Sequence, residues 1–573
     1  MNGGAHVARV LQRHGVQQLF TLCGGHISPI LTEARKVGVQ VVDVRDEGHA
    51  VFAADAVARM TGTIGVAAVT AGPGVTNTLT ALQNAAMAET PLLLLGGAAA
   101  TVLRGKGSLQ DIDQLPLVSP MCKDAVRITQ VRDIGPTLER LVRLAQEGVR
   151  GPVYAELPVD VLYPEAIVRE WYEKEAGGGK GLAGKAVSLY LKQHLYRQFR
   201  DNNRVHDVPV PLIDAMEPRA SEVSTIAKRL MKAEKPVLVL GSQAVGLPKE
   251  AADVALAVER MGIPVFMGGM SRGLLGKGHR LQLRHKRSKA LREADCVVVA
   301  GFPLDFRMGY GMKINRKAEL VVINRDPSWL RRNRRPTQAV HADPGRTLQA
   351  LAQEVSPKPS WEGWLDTLRE RDDARDAEIV EEAKGGDYVN PLHLAQEIEA
   401  RLSDDSVLVV DGGDFVASCS YVVSPRSPLS WLDPGVFGTL GVGGGFALGA
   451  ACVRPGAEVW LLWGDGASAF SLSEIDTFVR LGLKVIAVVG TDGAWGQIAR
   501  DQVKILDDDV GTVLRRTDYQ TVCEGYGGRG FLLTDRAQVG PTLDAAREAA
   551  KDGPVLVNAW LGKSDFREGS LSM

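Results

Sequence analysis

Paired cysteines, a long apolar run and an excess of one charge are all missing from this 573-residue sequence. Cys23, Cys122, Cys296, Cys419, Cys452 and Cys523 are scattered, and none belongs to a C-x-x-C pair. That excludes the usual zinc-ribbon spacing and gives no disulfide framework, and a reducing compartment is the natural setting. Apolar stretches stop short of the roughly 18 residues that mark a membrane-spanning helix. The opening "MNGGAHVARVLQRHGVQQLF" enters helical periodicity without an apolar signal core, so the expected location is cytoplasmic. Lys and Arg number 67 against 68 Asp and Glu, for a formal charge of -1. Such a balance exerts no pull toward nucleic acid or an anionic membrane. With 45% hydrophobic and 24% charged residues the composition is that of an ordinary globular protein.

At about 150 residues per domain the length suits three or four domains. The apolar runs "QQLFTL", "VQVVDV", "IGVAAVT", "PLLLLGG" and "GPVYAEL" alternate with helical segments such as Glu47–Met60 and Gly74–Ala88. Short Val- and Leu-rich strands between helices indicate a parallel sheet covered on both faces. The same pattern returns in "KPVLVLG", "IPVFMGG", "DCVVVAG" and "ELVVIN", and again in "SVLVVDGGD", "EVWLLWGD", "LKVIAVVG" and "GPVLVNAWL". The expected fold is α/β, with three doubly wound parallel-sheet domains at 1–165, 215–355 and 390–573. A linker spans 166–214 and a polar helical connector 356–389. In the linker, "KEAGGGKGLAGK" is flexible by its glycines. "AVSLYLKQHLYRQFR" then puts Val187, Leu191, Leu195 and Phe199 on one helical stripe. A basic amphipathic helix can lie on a membrane, but packing on its own protein or on a sister subunit is the favoured reading.

Several glycine clusters carry little information. "GVGGGFALGA", Gly441–Ala450, follows "WLDPGVFGT" rather than a strand, so it lacks the setting of a dinucleotide fingerprint, and "GSQAVGLP" lacks the Lys and Ser/Thr of a phosphate-binding loop. "LLWGDGASAF", Leu461–Phe470, is more informative: a buried strand ends at a carboxylate set between two glycines. Asp465 either caps the following helix or holds a metal ion shared with a phosphate. Glycines allow close backbone approach, and the helix start near Ala467 directs N–H groups at an anion.

The longer stretch "LGAACVRPGAEVWLLWGDGA" resembles the signature of thiamine-diphosphate (ThDP) enzymes. The resemblance covers nearly the whole chain, as pyrimidine-binding, middle and diphosphate-binding domains. It implies that Gly464, Asp465, Gly466 and Ala467 face the diphosphate and that Asp465 binds magnesium (Mg2+). Within "VVDVRDEGHAVFAADAVARMTG", Glu47 resembles the glutamate that protonates the cofactor's pyrimidine, allowing the thiazolium to become an ylid. Such a glutamate sits in a dry place, where burial favours a protonated carboxyl. "TAGPGVTN", with Pro73 and Asn77, resembles the Gly-Pro-Gly loop on the pyrimidine side. "GTLGVG" resembles the stretch that holds the bent cofactor, with Leu440 as the wedge and the Gly438 carbonyl accepting from the amino group. In such enzymes the pyrimidine domain of one subunit faces the diphosphate domain of another, so a homodimer or homotetramer is implied.

"TLCGGHISPIL", "LQDIDQLPL", "DGGDFVASCSY", "WLDPGVFGTLGVG" and "KSDFREGSLSM" resemble the acetolactate synthase-like branch, also called 2-hydroxyacyl-CoA lyase type 2. The resemblance implies cleavage of 2-hydroxyacyl-CoA to a shortened aldehyde and formyl-CoA, with His26 and Gln110 nearest the reacting carbon. The alternatives are decarboxylation of a 2-oxo acid, pyruvate, with ligation to acetolactate, and a non-catalytic member of the family. Arg500 stands in "GAWGQIARDQ" near the Trp position of the true acetolactate synthases, and its planar fork suits an anionic substrate. Arg272, Lys277, Arg284, Lys286, Arg287 and Lys289 form either a solvated charged face or, with "VVINRDP", a pocket for FAD or for the ADP part of CoA. The family's Asn-Asn pair is here Thr491-Asp492. Asp492 falls on the metal-ligating position, Thr491 is the substitute after a small loop shift, and the Ala494 carbonyl is the backbone ligand.

Overall fold

The computed structural model describes residues 1–175, 181–204, 209–210, 213, 215–564 and 566–567. The linker glycines Gly177–Gly179 and most of "KSDFREGSLSM" lie outside them. Contacts divide the chain into two compact units. The first comprises Met1–Ala58, Thr63–Asp214 and Gly435–Thr439, and the second Arg59–Gly62, Ala215–Pro434 and Leu440–Met573.

The first unit is built on a six-stranded parallel sheet of β1 (Gln18–Leu22), β2 (Gln40–Asp43), β3 (Gly65–Val69), β4 (Leu92–Ala98), β5 (Ala125–Arg127) and β6 (Pro152–Pro158). Their order is β2-β1-β3-β4-β6-β5. β3 and β6 are buried at every position, which is why they read as unbroken apolar runs. The chain leaves β1 to one side for β2 and returns on the other for β3. The carboxyl ends of β1 and β3, paired up to Leu22 and Val69, therefore flank a topological switch point. The helix Glu47–Thr61 follows β2 directly, and its Ala50, Val51, Phe52, Ala53 and Ala54 are buried.

The helix Gly181–Phe199 packs only by the end of its stripe. Leu195 and Phe199 are buried and Leu191 lies against the same core, but Val187 is 47% exposed. His194 fixes this helix: its Nε2 lies 2.7 Å from the Thr101 hydroxyl, and Asp160 accepts from the Thr101 N–H at 2.9 Å. His6 is buried beside the Asn202 carbonyl, 2.8 Å from its Nε2. Burial lowers the pKa of both histidines below the ordinary 6.5. Each then binds fewer protons folded than unfolded, so it adds stability above that value that is lost as the pH falls toward the lowered one. Thermal unfolding should accordingly shift to lower temperature between about pH 7.5 and 5.5, and His6→Gln with His194→Gln should flatten the slope. An unchanged slope in the double variant would contradict this.

The second unit carries two more six-stranded sheets, both parallel. One consists of β7 (Pro236–Leu240), β8 (Val265–Met267), β9 (Gln282–Leu283), β10 (Cys296–Ala300), β11 (Glu319–Asn324) and β12 (Gln338–His341), ordered β12-β11-β10-β7-β8-β9. The other consists of β13 (Val407–Asp411), β14 (Trp431–Leu432), β15 (Val459–Gly464), β16 (Val485–Thr491), β17 (Arg529–Leu533) and β18 (Val555–Trp560), ordered β14-β13-β15-β16-β18-β17. Its switch point lies between β13 and β15, where Asp411 pairs with Trp463. Among the described residues no helix is long and apolar enough to cross a membrane.

Candidate functional site

Sequence-singled residues gather at both of these switch points. In the first unit, Asp46 accepts from the Gly48 N–H at 2.7 Å and so opens the helix on which Glu47 is the first residue. Glu47 is 6% exposed. Its Oε2 accepts from Asn77 Nδ2 at 2.9 Å, and Asn77 is held where the short helix Pro73–Thr76 ends. Gly74 lies against the same loop, where a Cβ would meet Thr70 Cγ2 at 2.9 Å. Across the loop, His26 Nδ1 lies 3.2 Å from Thr70 Oγ1, and burial lowers its pKa. The imidazole is therefore neutral near pH 7 and has one nitrogen free of a proton.

Gln110 adopts a left-handed φ of 62° and packs its backbone on Gly72, where a Cβ would meet the Gln110 carbonyl at 2.8 Å. The residue that ties these pieces together was not singled out in the sequence. Gln114, 1% exposed, accepts from the Gly72 N–H at 2.7 Å and donates to the Gly97 carbonyl at 3.1 Å and to Glu156 at 3.0 Å. Glu156 in turn pairs with Arg127. In sequence, Gln114 looks like any polar loop residue; only packing marks it.

In the second unit, Asp465 is 3% exposed and begins the helix Asp465–Ser471, whose cap is Gly464 without a side-chain bond. Its Oδ1 accepts from Gly466 N–H and its Oδ2 from Gly493 N–H, both at 2.8 Å. The carboxylate thus satisfies an N–H in the first turn of its own helix and ties that turn to Gly493 in the loop after β16. Backbone crowding confines this crevice: a Cβ on Gly412 would stand 2.9 Å from the Gly464 nitrogen, and one on Gly466 2.4 Å from the Trp495 ring. Asp492 accepts from the Ala494 N–H at 3.0 Å. Burial, and then the charge of Asp465, push the Asp492 carboxyl up to about 7. Burial also raises Asp465, against the pull of its backbone N–H donors. The Thr491 hydroxyl is buried and donates to Asn558 Oδ1 at 2.6 Å, so it is turned into the sheet. Arg516 donates to the carbonyls of Thr491 at 2.6 Å and Leu561 at 2.9 Å, with its guanidinium 4.6 Å above Tyr388. Its charge lowers both carboxylates without touching them.

Arg500 is committed elsewhere: it pairs with Asp414 and donates to the Arg567 carbonyl at 3.1 Å. The basic cluster is not one face either. Arg272 is stacked over Trp431, Arg284 donates to the carbonyls of Tyr421 and Val423, and Arg287 donates to the Arg307 carbonyl.

Residues 1–117 match the family model described as thiamine pyrophosphate enzyme, N-terminal TPP binding domain; 223–351 match the central domain and 411–559 the C-terminal TPP binding domain. Over the whole chain the sequence is 46% identical to 2-hydroxyacyl-CoA lyase 2 of Danio rerio, covering 93% of that protein, and 47% identical to that of Homo sapiens, covering 92%. The chain belongs to the thiamine-diphosphate enzyme family. It is a ThDP-dependent enzyme of the branch that includes these lyases and acetolactate synthases. The acetolactate synthase large subunit of Mycobacterium tuberculosis is 34% identical over 97% of this chain and 95% of its own length.

The donor set of the ThDP enzyme fits a hard divalent cation. Buried Asp465 and half-buried Asp492, whose carboxyl the charge of Asp465 helps to raise, are oxygen donors of the kind magnesium prefers.

Proposed function

We propose that this chain is a ThDP- and magnesium-dependent carbon–carbon lyase that cleaves 2-hydroxyacyl-CoA to a shortened aldehyde and formyl-CoA. The observation that carries the reading is full-length identity of 46–47% to proteins named 2-hydroxyacyl-CoA lyase 2. When bound, ThDP supplies a carbon nucleophile that later acts as an electron sink. Asp465, Asp492 and the Ala494 carbonyl hold the magnesium ion, while the backbone of Gly464, Gly466 and Ala467 lies against the diphosphate. The buried Thr491–Asn558 bond favours Asp492 over Thr491 for that role. Glu47, oriented by Asn77, gives and retrieves a proton at the pyrimidine nitrogen, with Pro73 shaping the loop beside it. Gly438 and Leu440 support the bend. His26, held neutral, takes the substrate hydroxyl proton through Nε2, and Gln110 orients the same oxygen.

The assembly in this reading is a homodimer or homotetramer in which Glu47 of one subunit and Asp465 of a neighbouring subunit serve one cofactor. Domain boundaries at 1–165, 215–355 and 390–573 belong to the same proposal, as does a cytoplasmic location, supported by six unpaired cysteines. FAD or the ADP part of CoA is proposed for the middle domain near Asn324, whose buried Nδ2 has no hydrogen-bond partner. The relative named acetolactate synthase supports the second reading, pyruvate decarboxylation with ligation. Loading the protein with ThDP and magnesium and offering 2-hydroxyacyl-CoA and pyruvate separately decides between them. Aldehyde with formyl-CoA is expected from the first substrate, whereas acetolactate from the second alone would reverse the assignment.

A further inference from the structure

The glycine-rich start of the helix Val442–Val453 carries an anion of its own. Asp411 closes β13 and is fully buried. Its two carboxylate oxygens accept from the Gly441 N–H at 3.2 and 3.1 Å, and Oδ2 also accepts from the Gly443 N–H at 2.9 Å. The Gly444 N–H is taken by Ser471 Oγ at 3.0 Å. The N–H groups of Gly441, Gly443 and Gly444, of the kind that elsewhere invite a phosphate, are thus taken within the protein. Gly441 caps the helix at φ 91°, a conformation that residues with side chains rarely adopt. A Cβ on Gly443 would stand 2.1 Å from Trp463 Nε1 and 3.0 Å from Asp411 Oδ2, so strand end and helix start are packed without slack.

We propose that Asp411 is a positioning residue for the cofactor: by holding the backbone of Gly441 and Gly443 it fixes Leu440, the residue before them, beneath the bend of ThDP. This rests on the role proposed above for Leu440. Hydrogen bonds to a buried carboxylate are about twice as strong as neutral ones, so a strand end can hold a glycine turn that has little stiffness of its own. The diphosphate grip at Asp465 is made by other loops. Loosening Asp411 should therefore leave affinity largely intact and cost turnover, because alignment of reacting groups is lost while the anchor remains.

The test compares Asp411→Asn, Leu440→Ala and the double variant with the wild type by three readouts. Hydrogen exchange of residues 438–446 is measured without cofactor, the near-ultraviolet circular dichroism of bound ThDP with it, and kcat and KM with 2-hydroxyacyl-CoA. In Asp411→Asn we expect faster exchange at Gly441 and Gly443, a weakened cofactor band, ThDP affinity within about threefold, and kcat lower by about 10- to 100-fold. Leu440→Ala should reproduce the band and kcat changes, and the double variant should be no worse than the more impaired single one, as expected of residues acting as a unit. Faster exchange with an unchanged band and kcat would reduce Asp411 to a helix cap, and additive losses would separate it from Leu440; either overturns the proposal. A wild-type protein that shows the band but releases no aldehyde or formyl-CoA from 2-hydroxyacyl-CoA would instead refute the lyase reading, and the positioning claim would still be decided by band and exchange.

Discussion

Replacing Glu47 by Gln lowers aldehyde release by about 10²- to 10⁴-fold, the range that a general acid–base group contributes. The substitution keeps size and shape. Asn77 Nδ2 now donates to the amide oxygen, as it did to Oε2 at 2.9 Å, so the new side chain stays in place. What it lacks is a proton to give and take back. With only 6% of the residue exposed, water is a poor substitute at this position. ThDP affinity should stay within a few-fold, since the diphosphate anchor lies elsewhere. Steady-state kinetics with calorimetric titration of ThDP checks both halves. Wild-type turnover in Glu47→Gln would remove the mechanism.

Asp465→Ala acts on the opposite end of the cofactor and should abolish saturable binding at ordinary concentrations. Loss of a residue that only orients a metal ligand commonly costs 10- to 100-fold in affinity, so loss of the ligand itself should cost about 100-fold or more. The change also strips the Gly466 and Gly493 N–H groups of their acceptor, which unties the helix start from the loop after β16. Asp465→Asn retains an acceptor without the charge and should fall between. Titration with ThDP at fixed magnesium measures the series. Affinity within threefold of wild type in Asp465→Ala would mean that the cation is held by other groups.

Much of this was legible in the sequence because central parallel strands are buried on both faces and therefore read as continuous apolar runs. The strands that did not declare themselves, β5, β9, β12, β14 and β17, all lie at the edges of their sheets. Edge strands are short and half covered, so nothing forces an apolar run on "AVR" or "QAVH". The site divides along a similar line. Glu47, Asn77 and Asp492 were singled out by their resemblance to ThDP-enzyme motifs, and Asp465 also by the strand end and glycines around it. Asp411 and Gln114 were not, since each acts on backbone far along the chain, Asp411 on Gly441 and Gln114 on Gly72. The bond from the Thr491 hydroxyl to Asn558 on the neighbouring strand was equally closed to sequence. The pairing of Arg500 with Asp414 was likewise closed to sequence, since the two lie on separate segments of the chain.

The central claim is that one carboxyl group works the pyrimidine end of ThDP while another anchors its phosphate end, and that they come from different subunits. Mixing Glu47→Gln with Asp465→Ala, after dissociation and reassembly, tests this most directly. Each variant alone should be inactive, and the mixed assemblies should regain a substantial share of wild-type turnover, because one site in each hybrid pair then has both groups intact. Hybrids that assemble but stay as inactive as the two parents would contradict the account.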